Sequence, residues 1–296
     1  MRNRSRRIAG RVRHRRGDWI VPGVNFDRAV AFYDATRALP DGVADRVGVA
    51  ILERVGAGPA TRFLEVGIGT GRITLPLVRA GYLCHGVDLS AAMLGALRAK
   101  LAAEPGRAGR LRLARADAMA LPFQTGVFDV VLVIHLLHLV DDPRQALHEI
   151  RRVLSPGGRV LISASQYAAG GEGGGRDQTG WRAVTRRWNE ILVDLGVDRS
   201  RRPRGRWVPE EAITATLQAM GASVERVVLA EYRERRTPRE IAAAHRDRIY
   251  SSDWETPDDV HADAVRRLTD WLDTAHAPPD TPFSEDASFE ALIGTL

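Results

Sequence analysis

Leu64-Glu65-Val66-Gly67-Ile68-Gly69-Thr70-Gly71-Arg72 is a short apolar run with one acid in it, closed by three glycines at alternate positions before a helical stretch begins. Glycine supplies backbone conformations that other residues resist and lets the chain approach a ligand with no Cβ in the way. A dinucleotide-binding turn carries G-x-G-x-x-G, and here the sixth position is Arg72, so the register is G-x-G-x-G instead. Glu65 sets an anion at the place where a pyrophosphate would be repelled, and a carboxylate there suits an ammonium group.

Outward from this stretch the pattern is short apolar runs alternating with helical segments, the mark of a parallel sheet wrapped by helices. Strands are predicted at 62–66, 83–87, 111–115, 128–134 and 159–163, with helices at 72–80, 91–103 and 143–153 between them. Residues 26–37 and 41–55 read as two preceding helices, 181–195 and 209–220 as two following ones, and 223–231 as a sixth strand. Helices near 238–249 and 258–275 and a last antiparallel strand at 288–293 complete the pattern. The expected fold is α/β, a doubly wound, mostly parallel sheet of seven strands with helices on both faces and a helical cap. We read residues 1–20 as a basic, disordered tail and 21–296 as one domain. Its core spans about 56–165 and 207–296, with cap elements at about 26–55 and 166–206. Right-handed crossovers set the carboxyl ends of the parallel strands along one edge, where ligands bind in such sheets.

That edge carries a series of candidate residues. Gly86-Val87-Asp88-Leu89-Ser90 ends the second strand about twenty residues past the glycines, where an acid in such folds accepts from ribose hydroxyls. Ser90 is placed to cap the next helix, leaving Asp88 free for that role. Ala116-Asp117-Ala118-Met119-Ala120-Leu121-Pro122-Phe123 follows the third strand and Phe128-Asp129-Val130-Val131 opens the fourth, with Asp129 structural at its start. His135 and His138 come directly after the fourth strand. An imidazole there has the chemistry of a general base, and it equally suits loop hydrogen bonding.

In order and spacing, residues 26–163 resemble class I S-adenosylmethionine-dependent methyltransferases, in the small-molecule "type 11" branch that includes quinone and natural-product enzymes. The resemblance implies a Rossmann-like fold and S-adenosyl-L-methionine as cofactor. It implies that Gly67, Gly69 and Gly71 floor the methionine moiety, that Glu65 bonds its amino group directly or through water, and that Asp88 with Leu89 holds the ribose. Asp117 and the backbone of Ala118 would hold the adenine amino group, and Met93 either flanks the adenine or belongs to the core. Tyr33-Asp34 resembles the branch's N-terminal Tyr-Asp, so Tyr33 either covers the sulfonium, where an aromatic face attracts a cation, or is an ordinary helix residue. His135 also lies where the family contacts the cofactor. Leu154-Ser155-Pro156-Gly157-Gly158-Arg159 completes the resemblance as a helix end, a turn and a fifth strand. The implied activity is transfer of a methyl group to a small-molecule acceptor by in-line displacement, with His135 and His138 as the catalytic candidates. The Asn-Pro-Pro-Tyr motif of amino-methylating nucleic-acid enzymes is absent after the fourth strand, where Ile134-His135-Leu136-Leu137 stands.

Composition narrows the classes further. No run approaches the roughly 18 apolar residues of a membrane span, and the most apolar stretch, Val130–Val140, is broken by His135 and His138. Cys84 is the sole cysteine, which rules out an internal disulfide, argues against a zinc site, and suits the reducing cytoplasm. No metal is expected. The formal charge of +6 is concentrated in Arg2, Arg4, Arg6, Arg7, Arg11, Arg13, Arg15 and Arg16; without those eight the remainder carries −2. No apolar segment follows the Arg6-Arg7 pair, so an export signal is not expected. Two other readings stay open: an RNA methyltransferase using the basic tail, and a non-catalytic protein that keeps the cofactor fold. The aromatic residues Trp181, Trp188, Trp207, Tyr250 and Trp254 either line an acceptor pocket in the cap or form the cap's own core, and Arg199, Arg201, Arg202, Arg204 and Arg206 either bind an anion or lie in a solvated loop.

Overall fold

The strand β1 (Phe63–Val66) is buried along its whole length, because neighbours flank it on both sides and helices cover both faces. The computed structural model describes residues 27, 30, 33–34, 39–104, 106–163, 181–198, 208–254, 256–274 and 278–296. The predicted basic tail, most of the predicted helix 26–37, the glycine-rich 170–175 stretch, Trp207 and the arginines of 199–206 lie outside these residues.

In chain order the elements are α1 (Val43–Arg54), β1, α2 (Thr74–Arg79), β2 (Cys84–Asp88), α3 (Ala91–Ala102), β3 (Leu111–Arg115), β4 (Phe128–Ile134), α4 (Pro143–Val153) and β5 (Leu154–Ser163). They continue as α5 (Trp181–Asp194), α6 (Glu210–Ala219), β6 (Ser223–Arg236), α7 (Pro238–Arg246), α8 (Asp258–Thr274) and β7 (Phe283–Thr295). The seven strands form one sheet in the order β3-β2-β1-β4-β5-β7-β6. The first five are parallel, and β7 runs antiparallel between β5 and β6. The strand order reverses between β1 and β4, so the crevice for a ligand opens outside the carboxyl ends of those two strands.

Alternation along the strands sends successive side chains to opposite faces. Phe63, Val130, Leu132 and Ile134 join the apolar layer that contains Leu77 of α2 and Leu94, Leu97 and Leu101 of α3. Leu64, Val66, Val131 and Val133 join the opposite layer, with Leu147 and Ile150 of α4 and Ile213 and Leu217 of α6. The helix starts are chemically marked. Ser90 accepts from Met93 N at the head of α3; Asp142 accepts from Arg144 N and Gln145 N before Pro143; and Thr237 with Glu240 forms a reciprocal capping box on α7.

Two groupings differ from the sequence-based expectation. Helix α1, expected in the cap, buries Val43, Val47 and Ile51 in the same layer as Phe63, Val227 and Tyr232, so it covers the sheet. Helices α7 and α8, expected with the sheet, instead pack with α5 around Trp188, Ile191, Ile241 and Leu268 in an apolar cluster of their own.

Candidate cofactor cleft

The glycine turn leaves β1 with Gly67 at φ 74°, Gly69 at φ 55° and Gly71 at φ 84°. All three stand in the left-handed region that a side chain resists. Gly67 N and Ile68 N both donate to Val87 O at the end of β2, at 2.8 and 3.0 Å. Gly69 N donates to Asp88 Oδ2 at 2.8 Å, and Ser90 N donates to Asp88 Oδ1 at 2.8 Å. Asp88 is therefore not left free by the capping serine: its carboxylate ties the turn to the head of α3. Each oxygen retains a further acceptor site. Burial pushes the Asp88 carboxyl above its usual range, while the amides of Ser90 and Gly69 pull the other way.

These strand ends bound an open cleft. Among the residues singled out by sequence, the structure brings Tyr33, Gly67, Gly69, Asp88, Leu89, Met93, Asp117, Ala118 and His135 to its wall. Asp117 Oδ1 accepts from Met119 N at 2.9 Å, folding the loop so that Asp117 and Ala118 face the cleft. That loop is pinned from α4: Leu121 N donates to Glu149, and Arg152 donates to the carbonyls of Leu121 and Phe123. Tyr33 approaches Gly69 closely, its Cε1 4.0 Å from where a Cβ on that glycine would stand.

Three expected members stand elsewhere. Gly71 does not floor the cleft; a Cβ there would lie 2.5 Å from Leu97 Cδ1, so this glycine admits α3 against the turn. His138 sits half-buried in the short turn Leu137–Leu139 and is not on the cleft wall, because that turn carries it past the end of β4. Glu65 lies behind the wall at 4% exposure, accepting a hydrogen bond from the Thr74 hydroxyl. Burial pushes its carboxyl up to about 7, against the pull of Thr74 and of Arg72. Leu136 fills the space over Gly67, so residues directly after β4 bear on the turn after β1.

His135 has φ 51°, left-handed backbone on a non-glycine residue at the end of a central strand. Its amide donates to Ser163 O at 2.8 Å and its ring meets Phe289 edge-on at 6.0 Å. Such strain persists only where surrounding contacts over-determine it. Asp129 is structural, as expected: Arg62 clamps both its oxygens and holds its carboxyl below the usual range. In the α5/α7/α8 lobe, Trp188 is fully buried with its Nε1 donating to Asp253, and Trp254 Nε1 donates to Arg248 O. Tyr250 lies against His245, and none of Trp188, Tyr250 and Trp254 is on the cleft wall; Trp188 belongs to the lobe's own core. The Trp181 side chain lies outside the description.

Sequence reasoning missed Thr74, Leu136, Leu139, Val140 and Asp141, the last four also on the wall. The hydroxyl at Thr74, nine residues after a strand-end acid, was the one available clue. Among the described residues no group of three or more His, Cys, Asp or Glu is placed to hold a metal ion, and no helix is long and apolar enough to cross a membrane.

Comparison with known proteins places this geometry. Residues 64–162 match a family described as a methyltransferase domain. A demethylmenaquinone methyltransferase of Clavibacter sepedonicus is 35% identical over 138 residues, 46% of this chain and 55% of that protein. The chain thus spans about half the length of the curated relatives it matches. Among solved structures, the YcgJ protein of Bacillus subtilis superposes with a TM-score of 0.54 at 19% identity, covering 84% of this chain and 97% of that one. A phosphoethanolamine N-methyltransferase of Haemonchus contortus, solved with S-adenosylhomocysteine, does so with a TM-score of 0.52 at 21% identity, covering 91% and 57%. At these identities the structures establish a shared fold.

Proposed function

We propose, from the match of residues 64–162 to a methyltransferase domain, that the chain transfers a methyl group from S-adenosyl-L-methionine to a small-molecule acceptor of the quinone-ring type. One observation carries the reading: the left-handed glycine turn, with Gly67 on the wall and the Cβ side of Gly69 open toward Tyr33, faces the same cleft as the acids Asp88 and Asp117, at the switch point of a parallel sheet. These residues fit the cofactor. Gly67 and Gly69 would accommodate its methionine portion, Asp88 would accept from its ribose, Asp117 and Ala118 would receive its adenine, and Glu65, buried behind the turn, would answer its ammonium through water or across the turn. Bound there, it supplies a methyl group on a sulfonium that departs as a neutral thioether.

The protein's own part is mainly to orient and to exclude water, and orientation alone contributes on the order of 7–11 kcal/mol in well-aligned reactions. Tyr33 covers the glycine turn. His135, held in its strained backbone at the end of β4, faces the cleft as the base or acceptor-orienting group; His138, away from the wall, is not assigned that role. The ring-acceptor assignment is supported by the named activity of the relatives, and the cytoplasm as its place of work is supported by the single buried thiol of Cys84.

The test begins with calorimetric titration of S-adenosyl-L-methionine and S-adenosylhomocysteine into the wild type and Asp88→Ala. Micromolar binding that the variant loses by at least about tenfold is expected from removal of a charge-assisted pair. Incubation with labelled cofactor and, in parallel, reduced quinones, phenols and RNA then reads the acceptor. Label on a quinol supports the assignment, label on RNA alone overturns the small-molecule reading, and absence of cofactor binding overturns the enzyme reading altogether.

A further inference from the structure

We propose that Lys100, outside the cleft in the last turn of α3, is a positioning residue for the cofactor, closing Tyr33 onto the glycine turn through Asp34. This rests on the cofactor reading above. Lys100 Nζ makes two contacts at once, to Asp34 Oδ2 at 2.6 Å and to the carbonyl of Thr70 at 3.0 Å. The other Asp34 oxygen accepts from Thr70 Oγ1 at 2.5 Å. Thr70 is 1% exposed and lies between Gly69 and Gly71, so the three residues form a closed triangle joining the N-terminal segment, the glycine turn and α3.

The neighbour of Asp34 is Tyr33, whose ring edge lies over Gly69 and lines the cleft. Fixing Asp34 therefore fixes where Tyr33 stands. Asp27 supplies a second attachment at the opposite end of α3, accepting from Ser90 Oγ, the same hydroxyl that caps the helix. Asp27 and Asp34 thus meet opposite ends of α3, and the Tyr33 ring beside Asp34 lies at Gly69. None of Asp34, Thr70 and Lys100 is on the cleft wall, which marks the triangle as a device that acts through Tyr33. Any fraction of molecules in which Asp34 leaves Lys100 and Thr70, and Tyr33 leaves Gly69, would lower apparent affinity in proportion.

The experiment titrates S-adenosyl-L-methionine into the full chain by calorimetry, with thermal melts recorded for each protein. The variants are Lys100→Met, Asp34→Asn, the charge exchange Asp34→Lys with Lys100→Asp, Tyr33→Ala, and Tyr33→Ala with Lys100→Met. Lys100→Met is expected to weaken binding about fivefold, the scale of a partly exposed ion pair. In the Tyr33→Ala background the same substitution is expected to add less than about twofold, because its route of action is gone. The charge exchange is expected to recover at least half of the loss. Wild-type affinity in Lys100→Met, or an equal loss with and without Tyr33, overturns the proposal while leaving the cofactor site intact. Absence of binding to the wild type removes the cofactor reading and the proposal with it.

Discussion

Glu65 is held where its carboxylate costs the folded state stability. Its carboxyl, fully enclosed, holds its proton to about pH 7, whereas in the unfolded chain it ionises near 4.5. A raised acid favours the folded state only where the unfolded chain is still protonated, so this group withdraws about 3 kcal/mol from the empty protein as pH climbs through that window. Glu65→Gln is expected to melt higher than the wild type at pH 8, read by calorimetric scanning, and to bind the cofactor more weakly. In the wild type, affinity for a ligand that brings an ammonium to Glu65 should fall about tenfold per unit below pH 7, and the glutamine variant should lose that slope. His135 carries a cost of its own in its backbone. Glycine there relieves the left-handed strain, so His135→Gly should retain or gain about 1 kcal/mol of stability in denaturant titration while losing methyl transfer. Equal activity in that variant would return His135 to a purely structural role. Gly67, Gly69, Asp88 and Asp117 were legible because each follows a recognisable strand end. Thr70, Lys100 and Asp34 were not, since what joins them is nearness in space between segments far apart in the chain. Gly71 looked like its sister glycines until Leu97 was placed against it.

At the scale of elements, the strands with clean apolar runs were readable almost to the residue, and the helices announced themselves through Ser90, Asp142 and the Thr237–Glu240 box. The two longest strands were not. β6 runs on to Arg236 and β7 begins at Phe283, well beyond the apolar cores of 223–231 and 288–293. Their outer halves are charged, and pairing across the ladder, Arg233 with Asp286, replaces apolar alternation as the reason for extended structure. The α5/α7/α8 lobe was divided wrongly in sequence because its unifying feature is one buried acid. Asp253, wholly enclosed, accepts from Trp188 Nε1 at 3.0 Å and lies 2.8 Å from His245 Nδ1, with His245 stacked on the Trp188 ring. Asp253→Ala leaves both donors buried without that acceptor, a loss of about 3 kcal/mol. A drop in melting temperature on the order of 5–10 °C should follow. Cofactor affinity should be unchanged, because none of the lobe's described residues lines the cleft; a loss of binding without a loss of stability would contradict that separation.

For the whole molecule, the switch between β1 and β4 decides where the cleft lies, and that much follows from the order of runs along the chain. The acceptor is less legible because methyl transfer asks for alignment more than for reactive side chains, so few residue types are dictated. Charge is equally uneven: the net +6 comes from the arginines between positions 2 and 16, and the body that folds around the sheet is mildly acidic. The sheet also has a temporal order built into it. β7, last in sequence, is the partner that joins β6 to β5, pairing with β5 over its final turn of ladder and with β6 along its whole length. During synthesis, at roughly 5–20 residues per second, β5 emerges long before the strand that covers its edge. Until β7 leaves the ribosome, both β5 and the long β6 present unpaired amides and carbonyls to other nascent chains. The open edge of β5 therefore persists for as long as residues 164–295 take to be made.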